Sequence, residues 1–579
     1  MLNNPIVKQA ESYIDLLDVD DFVPKYLPKV HDPDTVTSFV MRPVAYATFT
    51  LNYFFGGNNP VGYRLVNILI HVCNSVMLYL LILNVLRQRA KDLAGRSLTA
   101  VPFFAAALFL VHPLQTESVT YIVQRFTSLG TFFYLGTLLL YLKSTTLETP
   151  RIRFIAYIVS IFMLLLGLLT KEFVVTAPFS ILLIELLLLK NKLRYSLIRL
   201  IPHFVVILLI PLQLYIISQD LSGEASTVRS LMTASHQNGY STIDYGITQL
   251  RVILSYLRLF IMPYNQNFFP EYQLFDSVIN QEIILSIMIW VIFISASVVI
   301  LRSKNRTVFD DLVVFAVFWF LLLIMPSSSV IALPDLMAEH RTYLPSIAFC
   351  TGITAHFYSL KLKLAPQWSS RFVLLACLPL LLFSVLTVQR NLVYSSRFSL
   401  WSDTALKSPG RARPLVALGN YYKRKGNLDK AVESFEKAIF LRPDYIETYL
   451  SLGKLYQDNG KSQKAIELYE SFLESNEPSR RVLTNLALAY SSKDLKYKAL
   501  GALDEALKIA PADVRLNLLA AETLMDVGMF DVASYHISRA NELDKNNHLV
   551  DYSKEIKIFT EYCERARLEV KPFPGEVTS

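Results

Sequence analysis

Charged side chains set among long apolar runs are the residues in this sequence that most need a reason. A charge at membrane depth or at a helix mouth costs about 2.5–3.5 kcal/mol on insertion scales, so such groups are functional candidates. Three segments carry them. His112-Pro113-Leu114-Gln115-Thr116-Glu117 is followed by Tyr121, Gln124 and Arg125. Helical spacing would put Glu117, Tyr121, Gln124 and Arg125 on one face. Lys171-Glu172 occupies a turn between two apolar runs. Asp335, Glu339-His340-Arg341 and Tyr343 lie in PDLMAEHRTYLP, just ahead of another apolar run. Lysine is a compact cation suited to phosphate. Arginine offers a bidentate fork to phosphate oxygens, and histidine can hydrogen-bond a phosphate or a sugar hydroxyl. The chemistry common to the three is recognition of a lipid phosphate or a sugar. The plainer readings are a solvated interfacial loop, an anchoring ion pair and a helix cap.

Other polar residues read differently. Asn67, His71 and Asn74 recur at helical spacing in NNPVGYRLVNILIHVCN and suit helix–helix hydrogen bonding better than chemistry. FFPEYQ at 268–273 puts aromatics and Glu271 near the membrane surface, where they could line a substrate groove. Asp20-Asp21 in DVDDFVPKYL form an acidic turn. Four cysteines without a CxxC or Cys/His cluster support neither a zinc site nor a disulfide framework. No carboxylate cluster compels a metal, and no cofactor is required.

The elements that must position these groups are membrane helices. Hydrophobic residues make up 53% of the 579-residue chain and charged residues 18%, with a mean hydropathy of +0.37. The apolar excess fills 66–388 and stops near Trp401. A bilayer core takes about 20 apolar residues per helix. On that measure ten spans are expected, near 66–86, 99–111, 126–142, 154–170, 174–189, 199–217, 281–301, 311–326, 343–360 and 371–388. The stretch 247–262 is apolar on one face and carries Arg251 and Arg258, which suits an interfacial helix.

The net charge of +8 does not point to nucleic acid, because the basic residues collect in short loops. RQRAK at 87–91, Lys143 with Arg151 and Arg153, KNKLR at 190–194, RSKNR at 302–306 and KLK at 361–363 all fall on one side of a ten-span chain. That side is the cytoplasm by the positive-inside rule. All three candidate segments then face away from the cytoplasm, where cations and aromatics suit a lipid-phosphate ligand. Residues 1–65 form an extracytoplasmic segment with no signal peptide, so an initial helix is expected to be missing ahead of Met1.

After a bridge at 389–411 the periodicity changes. Gly419, Gly453, Ala487 and Ala521 are 34 residues apart, as are Ala431, Ala465, Ala499 and Ala533. Tyr422, Tyr456 and Tyr490 keep the same step. This is the tetratricopeptide (TPR) pattern of paired antiparallel helices, with small residues where helices touch. Four repeats are expected over 412–547, the fourth degenerate, then a C-terminal helix and tail at 548–579. A TPR stack offers a concave surface to a peptide or protein, expected here around Tyr422, Tyr456 and Tyr490. The fold class is therefore all-α: a polytopic transmembrane helical domain followed by a TPR solenoid.

NPVGYRLVNILIHVCN, HPLQTESVTYIVQR, LLTKEFVVTAP and AEHRTYLPSIAF, followed by LWSDTALKSPGRAR and the repeats, resemble the bacterial relatives of the transmembrane-and-TPR O-mannosyltransferases. The resemblance covers nearly the whole chain. It implies a GT-C glycosyltransferase fold and sugar transfer from a polyprenyl-phosphate donor to an extracytoplasmic acceptor, a protein hydroxyl above all. The expected partners are membrane lipid, the lipid-linked sugar and an acceptor peptide held by the repeats. The setting is the inner membrane with the repeats in the periplasm, or the endoplasmic-reticulum membrane and lumen in a eukaryote.

A general base must take the acceptor proton, and a cation must meet the charge growing on the leaving phosphate. Arg125, Lys171 and Arg341 are the expected cations, with Glu117, His112, Gln124, Glu172, Glu339 and His340 around them. The resemblance also implies an acidic pair before an Asn-Pro segment. Here LNNPIV follows Met1 directly, so Asp20 and Asp21 are the expected substitutes. The rival reading is a membrane-anchored TPR scaffold without catalysis. A lipid-linked-sugar transporter gives no reason for the charges to gather on one side.

Overall fold

The computed structural model describes residues 38–39, 41–89, 96–213, 241–328, 332–333, 335–363, 369–546 and 552–569. Asp20 and Asp21 lie outside them. Among the described residues there are helices, turns and loops and no strand. They divide into two compact units, 38–400 and 401–569.

The chain ahead of the repeats runs α1 (Pro43–Gly56), α2 (Pro60–Arg89), α3 (Arg96–Val111), the short α4 (Gln115–Thr120), α5 (Arg125–Thr146), α6 (Pro150–Leu168), α7 (Ala177–Leu183), α8 (Leu193–Ile207), α9 (Thr242–Ile261), α10 (Gln281–Arg302), α11 (Val308–Ile324), α12 (Pro345–Lys363), α13 (Ser369–Val393) and α14 (Arg397–Lys407). Each of the ten apolar stretches is helical over most of its described length. Five helical segments are long and apolar enough to cross a bilayer: α2, α6, Leu193–Gln213, α10 and Ala376–Val393. Their outward faces are apolar. On α10, Ile284, Leu285, Met288, Val291 and Ile292 are all exposed, a contiguous patch that water does not tolerate and lipid does. The stretch 174–189 is not one regular helix. A 3₁₀ turn at Glu172–Thr176 leads into α7, and a π turn follows at Ile184–Leu188.

Lipid supplies no hydrophobic drive between helices, so close packing and internal hydrogen bonds must do so. A methyl group on Gly352 of α12 would lie 2.8 Å from Ala316 Cβ on α11, and one on Gly167 would lie 2.7 Å from Val174. Trp319 of α11 is buried and donates Nε1–H to Ser180 Oγ at 2.9 Å. Asn67 donates to Val119 O at 3.1 Å and Asn74 to Ser128 O at 2.8 Å, while His71 meets the Tyr343 hydroxyl at 2.7 Å. These residues therefore tie α2 to its neighbours. α9 opens on a capping box of Ser241 and Asp244 and buries one face, through Tyr245, Gln249, Val252 and Tyr256, as an interfacial helix should.

The helix ends opposite the three candidate segments carry their own charges. Asp311, 3% exposed, is ion-paired with Arg306 (2.9 Å), Arg89 (3.4 Å) and Lys190 (3.5 Å). Glu185 is fully buried, accepts from Asn191 (2.5 Å) and Tyr141 (3.1 Å), and has Arg199 at 3.8 Å. Lys363 lies 3.5 Å from Asp310.

The second unit contains the paired helices α15 (Ala412–Arg424) with α16 (Leu428–Leu441), α17 (Ile446–Asp458) with α18 (Ser462–Ser475), α19 (Arg480–Ser491) with α20 (Lys496–Ile509), and α21 (Val514–Asp526) with α22 (Phe530–Asn546), then α23 (Ser553–Glu569). Ala431, Ala465, Ala499 and Ala533 are all fully buried. A methyl group on Gly419 would lie 2.7 Å from the Phe435 ring. Gly426, Gly460 and Gly528 take φ of 71–81° in the turn inside their repeats, and Asp494 takes the equivalent place with φ 58°. Ile556 and Cys563 of α23 join the core cluster of the last pair.

Candidate functional site

The three charged segments meet at one end of the bundle. α6 ends at Leu168, and Lys171 begins a 3₁₀ turn that α7 continues. The Lys171 ammonium donates to Thr127 Oγ1 at 2.5 Å, and Thr127 donates to Gln124 Oε1 at 2.9 Å. Burial pulls the Lys171 pKa down to about 7; Arg42 and Arg341 push the same way, while Glu172 and Glu117 oppose them. So one lysine is within electrostatic reach of all three segments.

Lys171 and Glu172 do not pair with each other. Glu172 Oε1 accepts from Arg42 Nη2 at 2.6 Å and from Nε at 2.9 Å. Burial raises the Glu172 carboxyl, but Arg42 and Lys171 outweigh it and hold it below its ordinary value. A plain Lys171–Glu172 anchoring pair is therefore not what forms. Lys171 is left with a hydroxyl as partner and no carboxylate among the described residues.

The expectation that Glu117 and Arg125 share a helical face also fails. α4 stops at Thr120, and Tyr121 is extended at φ −80°, ψ 105°. Glu117, 3% exposed, turns to His340: its Oε1 lies 2.7 Å from Nδ1, and its Oε2 accepts the His340 amide at 3.0 Å. Arg125 is fully buried elsewhere. It donates to Asn67 Oδ1 (2.7 Å), Tyr63 O (3.0 Å) and Thr48 O (3.1 Å), with its guanidinium 4.4 Å from the Phe49 ring centre. All three of its nitrogens are used by the protein, so it braces α1, α2 and α5. His112 is also internal. Its Nδ1 accepts the Leu114 amide at 3.2 Å and its Nε2 donates to Phe260 O at 2.9 Å, which fixes a neutral ring. Burial lowers its pKa to about 4.

Glu339, His340 and Arg341 sit on a 3₁₀ turn, Glu339–Thr342. Three residues per turn sends successive side chains about 120° apart, so the three reach different neighbours. Glu339 is buried, accepts the Asn267 amide at 2.5 Å and Gln266 Nε2 at 3.3 Å, and has Arg390 at 3.7 Å. His340 faces Glu117. Arg341 lies against the Tyr245 hydroxyl and near Tyr256 and Lys171, and its Nη1 is buried without an acceptor. Asp335 is half-buried near Tyr245.

The sequence reading gave no role to Arg42 in Arg42-Pro43, nor to Thr127, Asn267 and Arg390. Arg42 carries a weak signal, a cation directly before a helix-starting proline. Arg390 carries the signal of a charge at the mouth of an apolar helix, whereas Thr127 and Asn267 carry none, since a threonine inside an apolar run looks like any other. Together Arg42, Lys171, Arg341 and Arg390 stand with Glu117, Glu172, Asp335 and Glu339 at this end of the bundle. Among the described residues, no group of three His, Cys, Asp or Glu side chains is placed to hold a metal ion.

In the repeats, Tyr422, Tyr456 and Tyr490 do not stand on an open face. Tyr490 is buried and donates its hydroxyl to Glu470; Tyr422 and Tyr456 are half-buried. Lys430, Lys464 and Lys498 lie 5.7, 6.0 and 5.5 Å from the respective ring centres. The tyrosines therefore pack the two helices of each repeat together.

Comparison with known proteins covers both units. The family model for a TPR repeat matches residues 419–460, and a second, for the tetratricopeptide repeat, matches 450–514. A protein O-mannosyl-transferase of Caenorhabditis elegans is 24% identical over 452 residues, 77% of this chain and 59% of that protein. Protein O-mannosyl-transferase TMTC3 of Mus musculus is 22% identical over 440 residues, 71% of this chain and 45% of its own length. The chain thus spans about half the length of the curated relatives it matches. Among solved structures, the TPR protein YrrB is 18% identical and covers 30% of the chain and 93% of its own, at a TM-score of 0.24; MamA covers 25% and 86% at 0.24. The apolar helices ahead of the repeats and the repeats themselves agree with the two sequence relatives and the two repeat models: the chain is a relative of the protein O-mannosyl-transferases that carries TPR repeats.

Proposed function

We propose that this chain is a membrane glycosyltransferase of GT-C type that moves a sugar from a polyprenyl-phosphate donor to an extracytoplasmic acceptor, a protein hydroxyl. The observation that carries the reading is the meeting of Lys171 and Arg341, two cations without a carboxylate partner among the described residues, beside the Glu117–His340 pair. An acceptor oxygen attacks the anomeric carbon, the bond from that carbon to the phosphate oxygen breaks, and its electron pair stays on the phosphate. Lys171 and Arg341 stabilise that charge where it develops. Glu172, held by Arg42, keeps Lys171 from being neutralised by its own neighbour.

The acceptor proton needs a base. The sequence assigns Asp20 or Asp21. Among the described residues, the group built for the role is His340. Glu117 holds its Nδ1–H and leaves the lone pair on Nε2, as an orienting carboxylate does for a catalytic histidine. The TPR unit binds the acceptor protein or a partner, in the periplasm of a bacterium or the equivalent lumen. The likeness to protein O-mannosyl-transferases and the two TPR matches support this reading.

The test reconstitutes the full chain in vesicles with a radiolabelled polyprenyl-phosphate mannose and serine- or threonine-containing acceptor peptides. Label on the peptide supports the reading, and its loss in Arg341→Met confirms the cation's part. A wild-type chain that neither binds the lipid nor transfers label, yet still captures peptides through its repeats, would be a scaffold.

A further inference from the structure

We propose that Tyr121 and Phe268 form an aromatic shelf for the sugar ring of the donor, an assignment that rests on the glycosyltransferase reading above. The break in helix after Thr120 leaves the Tyr121 amide bonded to Glu117 O at 3.2 Å and its backbone extended. The Tyr121 ring meets Phe268 edge-on at 5.2 Å, and Phe268 meets Tyr394 edge-on at 6.1 Å. Asn265, in the left-handed region at φ 56°, bends the loop after α9, a conformation asparagine tolerates. Two residues on, the Asn267 amide is anchored on Glu339, and Phe268 follows directly. The pair therefore stands between the carriers of two buried carboxylates, Glu117 and Glu339. Tyr121 remains 37% exposed there.

A pyranose ring presents one face of C–H groups, slightly positive, and a rim of hydroxyls. An aromatic face is negative at its centre and suits the first; carboxylates and a histidine suit the second. A prenyl tail would ask for apolar walls without acids, and a bare phosphate would ask for cations without rings. Only a sugar uses both kinds of neighbour at once. The phosphate then falls to Lys171 and Arg341, which hold its charge, while the shelf reads the ring.

The experiment measures binding of two lipids to the full-length chain in nanodiscs: a polyprenyl-phosphate mannose and the same polyprenyl phosphate without sugar. Wild type is expected to prefer the sugar-bearing lipid. Tyr121→Ala is expected to cut that preference about five- to tenfold while leaving affinity for the sugar-free lipid unchanged. Tyr121→Phe keeps the ring and keeps the preference. A Tyr121→Ala chain that retains the full preference, or that loses both lipids equally, overturns the shelf and leaves the transferase reading standing. A wild-type chain with no preference for the sugar-bearing lipid overturns that reading, and the shelf with it.

Discussion

Asp311 and Glu339 are both nearly completely buried carboxylates at helix ends, one at each end of the bundle. Around Asp311, five cations have a carboxylate: Arg89, Lys190 and Arg306 converge on it, Lys363 on Asp310, and Arg199 on Glu185. The carboxylates are buried and the cations are 22–59% exposed, so the long side chains reach toward water. At that end five cations brace three buried carboxylates. Around Glu339, Arg390 and Arg42 face carboxylates, but among the described residues Lys171 and Arg341 do not. Lys171 rests on a threonine hydroxyl, Arg341 on a tyrosine, and an Arg341 nitrogen is buried without an acceptor. The same residue types therefore serve two purposes. Where cation and carboxylate close on each other, a charge cluster holds helices together. Where a cation is held in place by neutral groups, it keeps its capacity for an incoming anion.

The comparison breaks most readily at the Glu339 end. Arg341→Met or Lys171→Met should lower kcat/KM for sugar transfer by about 10²–10³-fold, the size of losing one preorganised charge-stabilising donor. If both variants transfer sugar normally, the Glu339 cluster is only another brace. At the Asp311 end the expected loss is stability. Asp311→Asn leaves Arg89, Lys190 and Arg306 without their shared carboxylate and should cost about 3 kcal/mol. This would be read as a lower unfolding midpoint in detergent, with transfer by the folded fraction intact. Thr127→Val removes the hydroxyl that holds Lys171. It should weaken binding of polyprenyl phosphate about tenfold, measured by isothermal titration, with an unfolding midpoint near wild type.

The smallest expected effect is on pH. With Lys171 at about 7 in the unliganded protein, an arriving phosphate favours the protonated ammonium and raises its pKa. Binding then takes up a proton. Affinity is highest below pH 7 and should fall about five- to tenfold between pH 6 and pH 8, and Lys171→Arg should flatten the profile. A wild-type affinity that rises with pH would contradict the assignment.

Much of this was legible in the residues themselves, for reasons that differ between the two units. The 34-residue step of Gly419, Ala431 and their equivalents fixes where helices touch. The buried alanines and the Asp494 turn fall where that step puts them. The five long apolar helices suit lipid, where a backbone must satisfy its own hydrogen bonds. Which charged segments matter was also readable, since a charge among apolar runs costs too much to be idle. Their partners were not. Glu117 bonds His340 across 223 residues and Glu172 bonds Arg42 across 130, and no local pattern records such distances.

The sequence by itself therefore determined the elements, the repeat and the list of charges, because periodicity and transfer cost are local properties. Only the tertiary structure decided which charges are used up. It enclosed Arg125 and His112 among internal partners, turned Tyr422, Tyr456 and Tyr490 into packing, and separated Lys171 from Glu172. The reason is geometric. A short 3₁₀ turn or a single extended residue redirects a side chain by a third of a turn or more. Whether a charge then meets a carboxylate, a hydroxyl or nothing depends on helices far away in the chain.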